Sequence, residues 1–249
     1  MILTVAIREF KSLFLSPLAW SILAVVQLIL GFLFLSRLEV FQLYQPQLMA
    51  MDGAPGLTEI VLPDLLGNAA VILLLVVPLL TMRLVAEERR NRTLALLFSA
   101  PLSMTEIVLG KYLGILLFLL VLLGMIALMP LSLLAGASLD LGLIASGFLG
   151  LALLLASFAA VGLFMSTLTQ YTTVAAISSF GALLLFWILD WSGQGTAGGS
   201  WLAYLSLFNH YKPFLEGIFD SADAVYHVLL ITTFLVLSIR RLDADRLGG

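Results

Sequence analysis

Long runs free of charge alternate with short polar stretches along this chain. Six of the runs approach ~20 residues, the length a helix needs to cross a hydrocarbon core. They predict spanning helices at about 17–36, 67–83, 112–135, 141–167, 172–190 and 223–239. Pro78 falls inside the second, which membrane helices tolerate. Residues 1–16 follow another pattern. Leu3, Ile7, Phe10 and Phe14 recur at helical spacing, with Thr4, Arg8 and Lys11 on the opposite side. This predicts an amphipathic helix in the membrane interface, its basic side chains, Arg8 and Lys11, toward the headgroups. Ser16-Pro17 breaks the pattern, and Trp20 then stands at the interface level of the first span.

The stretches between the runs are unequal. Residues 37–66 form a polar interruption with three prolines, and 168–171 a tight hairpin. Residues 191–222 form a long loop, glycine-rich at first and then aromatic, with Trp201, Tyr204, Phe208, Tyr211 and Phe214. Residues 84–111 carry the densest charge. Within them, Leu84 to Leu97 reads as a helix continuing out of the membrane. Ala100-Pro101 ends it. Ser103 with Glu106 three residues on fits a capping box for the next helix.

Composition closes off other classes. Of 249 residues, 61% are hydrophobic and 11% charged, against about 45–50% and about 25% in soluble domains. A soluble enzyme could not hide that much apolar surface. The net charge of −3 gives no attraction to nucleic acid. With no cysteine, disulfides, thiolate metal sites and cysteine nucleophiles are excluded. The two histidines, His210 and His227, read as ordinary residues of the loop and of the outer end of the last span. Charge also sets orientation. Arg8, Lys11, Arg83, Arg89, Arg90, Arg92, Lys111, Arg240, Arg241 and Arg246 fall on one side, and only Arg37 and Lys212 on the other. By the positive-inside rule both termini are cytoplasmic. The fold expected is an all-α integral membrane domain of six transmembrane helices with an N-terminal interfacial helix, one domain over 1–249.

No ionisable residue falls near the middle of a predicted span. Asp64, Lys111, Asp140, Asp190 and Asp223 lie at span ends, where side chains can reach the interface. A proton- or sodium-coupled carrier needs a central one, so energy must come from elsewhere. A pathway of this kind suits an amphipathic, lipid-like or polymeric substrate. Small residues repeat in the fourth span, Gly142, Ser146 and Gly150, then Ala152, Ala156 and Ala160. They predict close helix packing within the bundle, with a subunit interface as the alternative. No phosphate-binding loop is present, so the chain carries no ATPase motif of its own. Glu87 to Arg92 reads E-E-x-x-x-R, as in intramembrane CAAX-type proteases. The histidines lack the accompanying F-x-x-x-H and H-x-x-x-N spacings.

The run from Met82 to Tyr112, M-R-L-V-A-E-E-R-R-N-R-T-L-A-L-L-F-S-A-P-L-S-M-T-E-I-V-L-G-K-Y, resembles the corresponding loop of ABC-2 type transporter permeases. The opening from Arg8 to Trp20 and the segments Leu205–Phe219 and Asp223–Arg241 are similar to the GldF-like branch. The resemblance implies a permease that is not itself an enzyme, in a bacterial cytoplasmic (inner) membrane. It implies a dimeric cytoplasmic ABC ATPase as partner, which binds ATP and Mg, with no cofactor or metal in this chain. It implies a second permease copy, identical or paired, and a GldG-like membrane protein with an extracytoplasmic domain. Glu87, Glu88, Arg89, Arg90, Arg92, Thr93 and Leu94 then belong to the ATPase-coupling helix. The aromatic segment would form external re-entrant helices. Arg92 stands where the family commonly has glycine, which would allow a left-handed backbone that arginine does not. That departure implies altered local geometry and an added contact to an acidic groove. The same architecture would also serve an ATP-driven scaffold that transmits force without moving a solute.

Overall fold

The computed structural model describes residues 1–48, 56–93, 102–135, 139–192 and 204–248. Among these residues there are helices and short turns and no strand. In chain order the helices are α1 (Ile2–Leu15), α2 (Pro17–Leu48), α3 (Leu57–Thr81), α4 (Ala86–Arg90), α5 (Met104–Ser132), α6 (Leu141–Leu168), α7 (Thr172–Ser192), α8 (Lys212–Leu215) and α9 (Ser221–Gly248). A single 3-10 turn, Leu133–Ala135, extends α5. Six of the helices, α2, α3, α5, α6, α7 and α9, are long and apolar enough to cross a bilayer.

The spans are longer than charge-free runs suggest. The first continues through Arg37 and Glu39 to Leu48, and the second begins at Leu57 rather than 67. Most of the expected interruption at 37–66 is therefore helix. Across the two helices Arg37 Nε of α2 meets Asp64 Oδ2 of α3 at 3.0 Å. The third span begins at Met104 rather than 112, because Ser103 caps it there. Its hydroxyl accepts from Glu106 N (3.2 Å), and Ser103 N donates to Glu106 Oε2 (3.0 Å).

Helices α3 and α6 form the centre. Two-thirds (67%) of the apolar window of each is buried, against 17% for α7 and α9. Lipid is as apolar as leucine, so close packing and hydrogen bonds must hold such helices together. Gly162 of α6 lies against the Thr81 side chain of α3, where a Cβ would overlap it. Gly162 thus serves packing within the chain. Gly150 and Ser146 receive α8. A Cβ at Gly150 would overlap Phe214, and Ser146 Oγ donates to the Phe214 carbonyl (3.2 Å).

Gly150 lies nine residues into α6, or about 14 Å from its start. The segment from Tyr204 onward therefore dips back between the helices. Tyr211 is buried and its hydroxyl donates to the Leu66 carbonyl of α3 (3.2 Å). The last span consequently starts inside the bundle. His227 Nδ1 lies 2.9 Å from Ser157 Oγ, and Ser157 is 16 residues, or about 24 Å, along the 28-residue α6. Its placement at an outer end is thereby corrected: this histidine is fully buried, level with the middle of the fourth span. Two residues assigned to reachable ends are also buried, Lys111 and Asp223.

Helix α1 packs on α5. Ala6 and Leu13 are buried, while Leu3 and Ile7 remain exposed. The packing face is thus rotated from the Leu3–Ile7–Phe10–Phe14 stripe, and the exposed pair is left for lipid. The contact is close because α5 offers Gly110 and Gly114. A Cβ at the first would come within 2.6 Å of Val5 Cβ, and at the second within 2.6 Å of Glu9 Cβ. Phe14 stacks toward Phe10, Trp20 and Phe118 at centroid distances of 4.9, 5.6 and 5.3 Å. Trp20 Nε1 donates to the Phe14 carbonyl (2.8 Å), closing the elbow into α2.

Overpacking a close contact costs ~1–3 kcal/mol. Gly150→Leu should therefore unseat the aromatic segment and raise proteolysis within 204–220 on the order of tenfold. Unchanged cleavage would contradict the seating described.

Candidate functional site

At the end of the bundle that carries both termini, the chain between α3 and α5 is not a continuation of α3. It turns at Met82–Val85, makes the five-residue α4 and turns again at Asn91-Arg92. The helix expected over Leu84–Leu97 is therefore broken in its described part. A helix this short cannot satisfy its own ends. Its N-terminus has no side-chain cap from Val85. Ser166, buried at the end of α6, supplies it instead. Ser166 Oγ accepts from Val85 N and Ala86 N (both 3.0 Å) and donates to the Met82 carbonyl (3.0 Å).

The C-terminus closes in a Schellman pattern. Thr93 N donates to the Glu88 carbonyl (3.0 Å) and Arg92 N to the Arg89 carbonyl (3.2 Å). Arg92 holds the position where glycine is usual, with φ of 58°. The arginine thus adopts the left-handed backbone that its side chain was expected to preclude, at a cost of ~1–2 kcal/mol. Two cap hydrogen bonds offset that cost.

Inward-facing residues of α4 tie four other elements together, α1, α5, α6 and α9. Lys111 of α5 is 1% exposed. Its Nζ donates to Glu9 Oε1 of α1 (2.9 Å) and to Glu88 Oε1 of α4 (2.7 Å). Arg8 reaches the same two carboxylates, at 3.2 and 3.6 Å. Two cations and two anions balance, which a buried ammonium requires. Burial works to raise the Glu9 carboxyl, but Lys111 and then Arg8 hold it below its ordinary value. Arg89 turns the other way. Its Nη2 donates to the Thr167 carbonyl (2.8 Å) and to Asp245 of α9. Arg241 adds a second cation on Asp245, at 3.5 Å.

Glu87, Arg90, Arg92 and Thr93 are exposed. Leu94 lies outside the described residues. Between α1 and α4 a cavity of about 490 Å³ opens, lined by Arg8, Glu9, Ser12, Arg83, Glu87 and Glu88 among others. Of the interfacial residues, Lys11 is exposed as expected, and Phe10 and Phe14 pack inward. Arg8 turns to carboxylates rather than only to headgroups. Of the aromatic residues, Tyr211 and Phe214 are buried, Phe208 packs on Trp187 (4.6 Å) and Tyr204 is exposed. Trp201 lies outside the described residues.

Sequence reasoning passed over Glu9, Lys111, Ser166 and Asp245. Ser166 and Asp245 leave no local signal, since tertiary approach alone gives them their partners. Lys111 and Glu9 did leave one. Gly110-x-x-x-Gly114 flanks the lysine with a small-x-x-x-small pattern, which marks where another helix comes close.

Removing one partner of a buried ion cluster costs ~3–5 kcal/mol. Lys111→Met should destabilise the protein by that order in a reversible unfolding measurement. Lys111→Met with Glu9→Gln and Glu88→Gln should recover most of the loss. A single variant as stable as the wild type would contradict the network.

One family model, described as ABC-2 family transporter protein, matches residues 3–247. No curated protein matches the chain. The match covers α1 through the tail of α9, including α4 and every ionic partner it engages. Such a protein is a membrane component of an ABC transporter, works with an ATPase partner and is not catalytic itself. The chain belongs to the ABC-2 transporter permease family.

Proposed function

We propose that this chain is the permease through which a separate ATPase drives export or translocation, and that α4 is its coupling helix. The observation that carries the reading is the division of charge on α4. Glu88 and Arg89 are committed to α1, α5, α6 and α9, whereas Glu87, Arg90, Arg92 and Thr93 are exposed. A helix that only capped the bundle would need no second charged face. One that receives force needs an inner face fixed to the spans and an outer face for the partner. Ten basic residues at this end against two at the other support a cytoplasmic α4, within reach of ATP-hydrolysing subunits. ATP and Mg belong to that partner. Six spans and an exposed apolar surface on α2, α7 and α9 suit a second permease copy beside this one in a bacterial inner membrane. The resemblance to the GldF-like branch supports a GldG-like companion.

The three outward charges can be removed without touching the inward network. Glu87→Ala, Arg90→Ala and Arg92→Gly together should weaken capture of the cognate ATP-binding subunit by at least on the order of tenfold. Thermal stability should not fall, because glycine relieves the left-handed strain at 92. Undiminished capture would overturn the assignment of α4. In liposomes holding the complete complex, ATP-dependent movement of an amphipathic substrate supports transport. Nucleotide-driven motion without flux would indicate a force-transmitting scaffold.

A further inference from the structure

Away from the ionic network, the two histidines occupy contrasting sites. His227 is fully buried. Ser157 donates its hydroxyl to the Leu153 carbonyl (2.9 Å), so Ser157 Oγ accepts from His227 Nδ1 at 2.9 Å. His227 Nε2 has no hydrogen-bond partner. An added N–H there would meet no acceptor. His227 has one protein partner and no place for a second proton.

His210 is the reverse case. It is 5% exposed, and both ring nitrogens face oxygens that accept. Nδ1 lies 2.6 Å from Asp223 Oδ1 and Nε2 lies 2.8 Å from the Tyr204 carbonyl. The ring stacks on Tyr226 at 3.9 Å and meets Tyr204 edge-on at 4.9 Å. A carbonyl can only accept, so Nε2 must carry hydrogen. Hydrogen is then also needed between Nδ1 and the carboxylate, supplied by an imidazolium or by a protonated Asp223. A neutral ring with Nε2–H beside an ionised Asp223 would set two lone pairs against each other at 2.6 Å. The pair is satisfied only while it holds one proton more than a neutral histidine and a carboxylate hold together.

We propose that His210 and Asp223 form a proton-binding latch that pins the re-entrant segment 204–216 to the head of α9. The latch joins two elements through a charged side chain of each, beside the neutral Tyr226 hydroxyl that donates to the Leu205 carbonyl (2.7 Å). His210 belongs to the segment whose Tyr211 and Phe214 lodge against α3 and α6. Asp223 opens α9, whose far end holds Arg89 through Asp245. The titratable groups facing His210 are Asp223, Tyr226 and His227 from α9 and Tyr204 from its own segment. From α6 comes the Ser157 hydroxyl, through His227, and from α3 the Leu66 carbonyl, through Tyr211. Asp223 is the one anion among these contacts, so the pair with its proton is electrically neutral in its buried setting. The sign follows. The latch holds at lower pH and opens as pH rises and the proton leaves. This makes the face opposite the termini sensitive to the pH it meets. The inference stands apart from the ATPase reading, since it concerns the other end of the molecule.

The test uses the full chain in lipid nanodiscs with ¹⁵N-labelled histidine. Two histidines in the chain give two rings to resolve, and His227→Gln assigns them. The expected result is an imidazolium at His210, or a protonated Asp223 carboxyl, wherever amides 204–216 are protected from hydrogen exchange. As that proton is lost on raising the pH, protection factors of 204–216 should fall on the order of tenfold or more. In His210→Gln protection should be lower and indifferent to pH. A neutral His210 beside an ionised Asp223 with the segment still protected would overturn the latch. So would protection that is unchanged as the proton leaves, or a pH dependence that survives in His210→Gln.

Discussion

A single buried ammonium organises the working end of this permease. Lys111 enters the bundle at the start of α5 and finds Glu9 on one side and Glu88 on the other. Without both it would be an unpaired charge in an apolar setting, which no fold of this size tolerates cheaply. Its demand for two carboxylates draws α1 onto α5 and fixes the inner face of α4. The glycines at 110 and 114 let α1 come near enough to meet it. Arg89 repeats the device on the far side, gathering the end of α6 and the tail of α9. A five-residue helix with no stability of its own thereby becomes the meeting point of four others.

The depth of the aromatic segment makes the second attachment geometrically available. Because Phe214 and Tyr211 settle between α3 and α6, α9 begins well inside the bundle. A 28-residue helix started there, about 42 Å long, carries Asp245 past the end of α6 to Arg89. Seating at one end of the molecule and bonding at the other are consequences of one offset. The two histidines lie along that offset, one with a carboxylate and one with a serine. A span that appeared free of ionisable groups is therefore lined by one at mid-depth.

Much of this was legible in residue order. The six spans, the interfacial helix, the Ser103–Glu106 box and the family all follow from periodicity, capping chemistry and one loop motif. What could not be read was set by approach between distant segments. The interruption at 37–66 looked like a loop because charge was counted along the chain. On the helices Arg37 of α2 instead pairs across with Asp64 of α3. Arg92 looked incompatible with a left-handed turn because intrinsic cost was weighed without the cap bonds that offset it. His227 looked peripheral because depth was counted from the end of its own span, and that end is itself submerged.

On the coupling role proposed for α4, its ion pairs to α1 and to the tail of α9 make the three move as one body when the partner acts. The chain has no native cysteine, so paired labels can be placed cleanly at Lys11 with Asn91, and at Asn91 with Arg246. Distances between spin labels should be measured in the reconstituted complex with and without bound nucleotide. The account predicts that both distance distributions stay the same through the nucleotide cycle. A shift of Asn91 away from either Lys11 or Arg246 on nucleotide binding would contradict it.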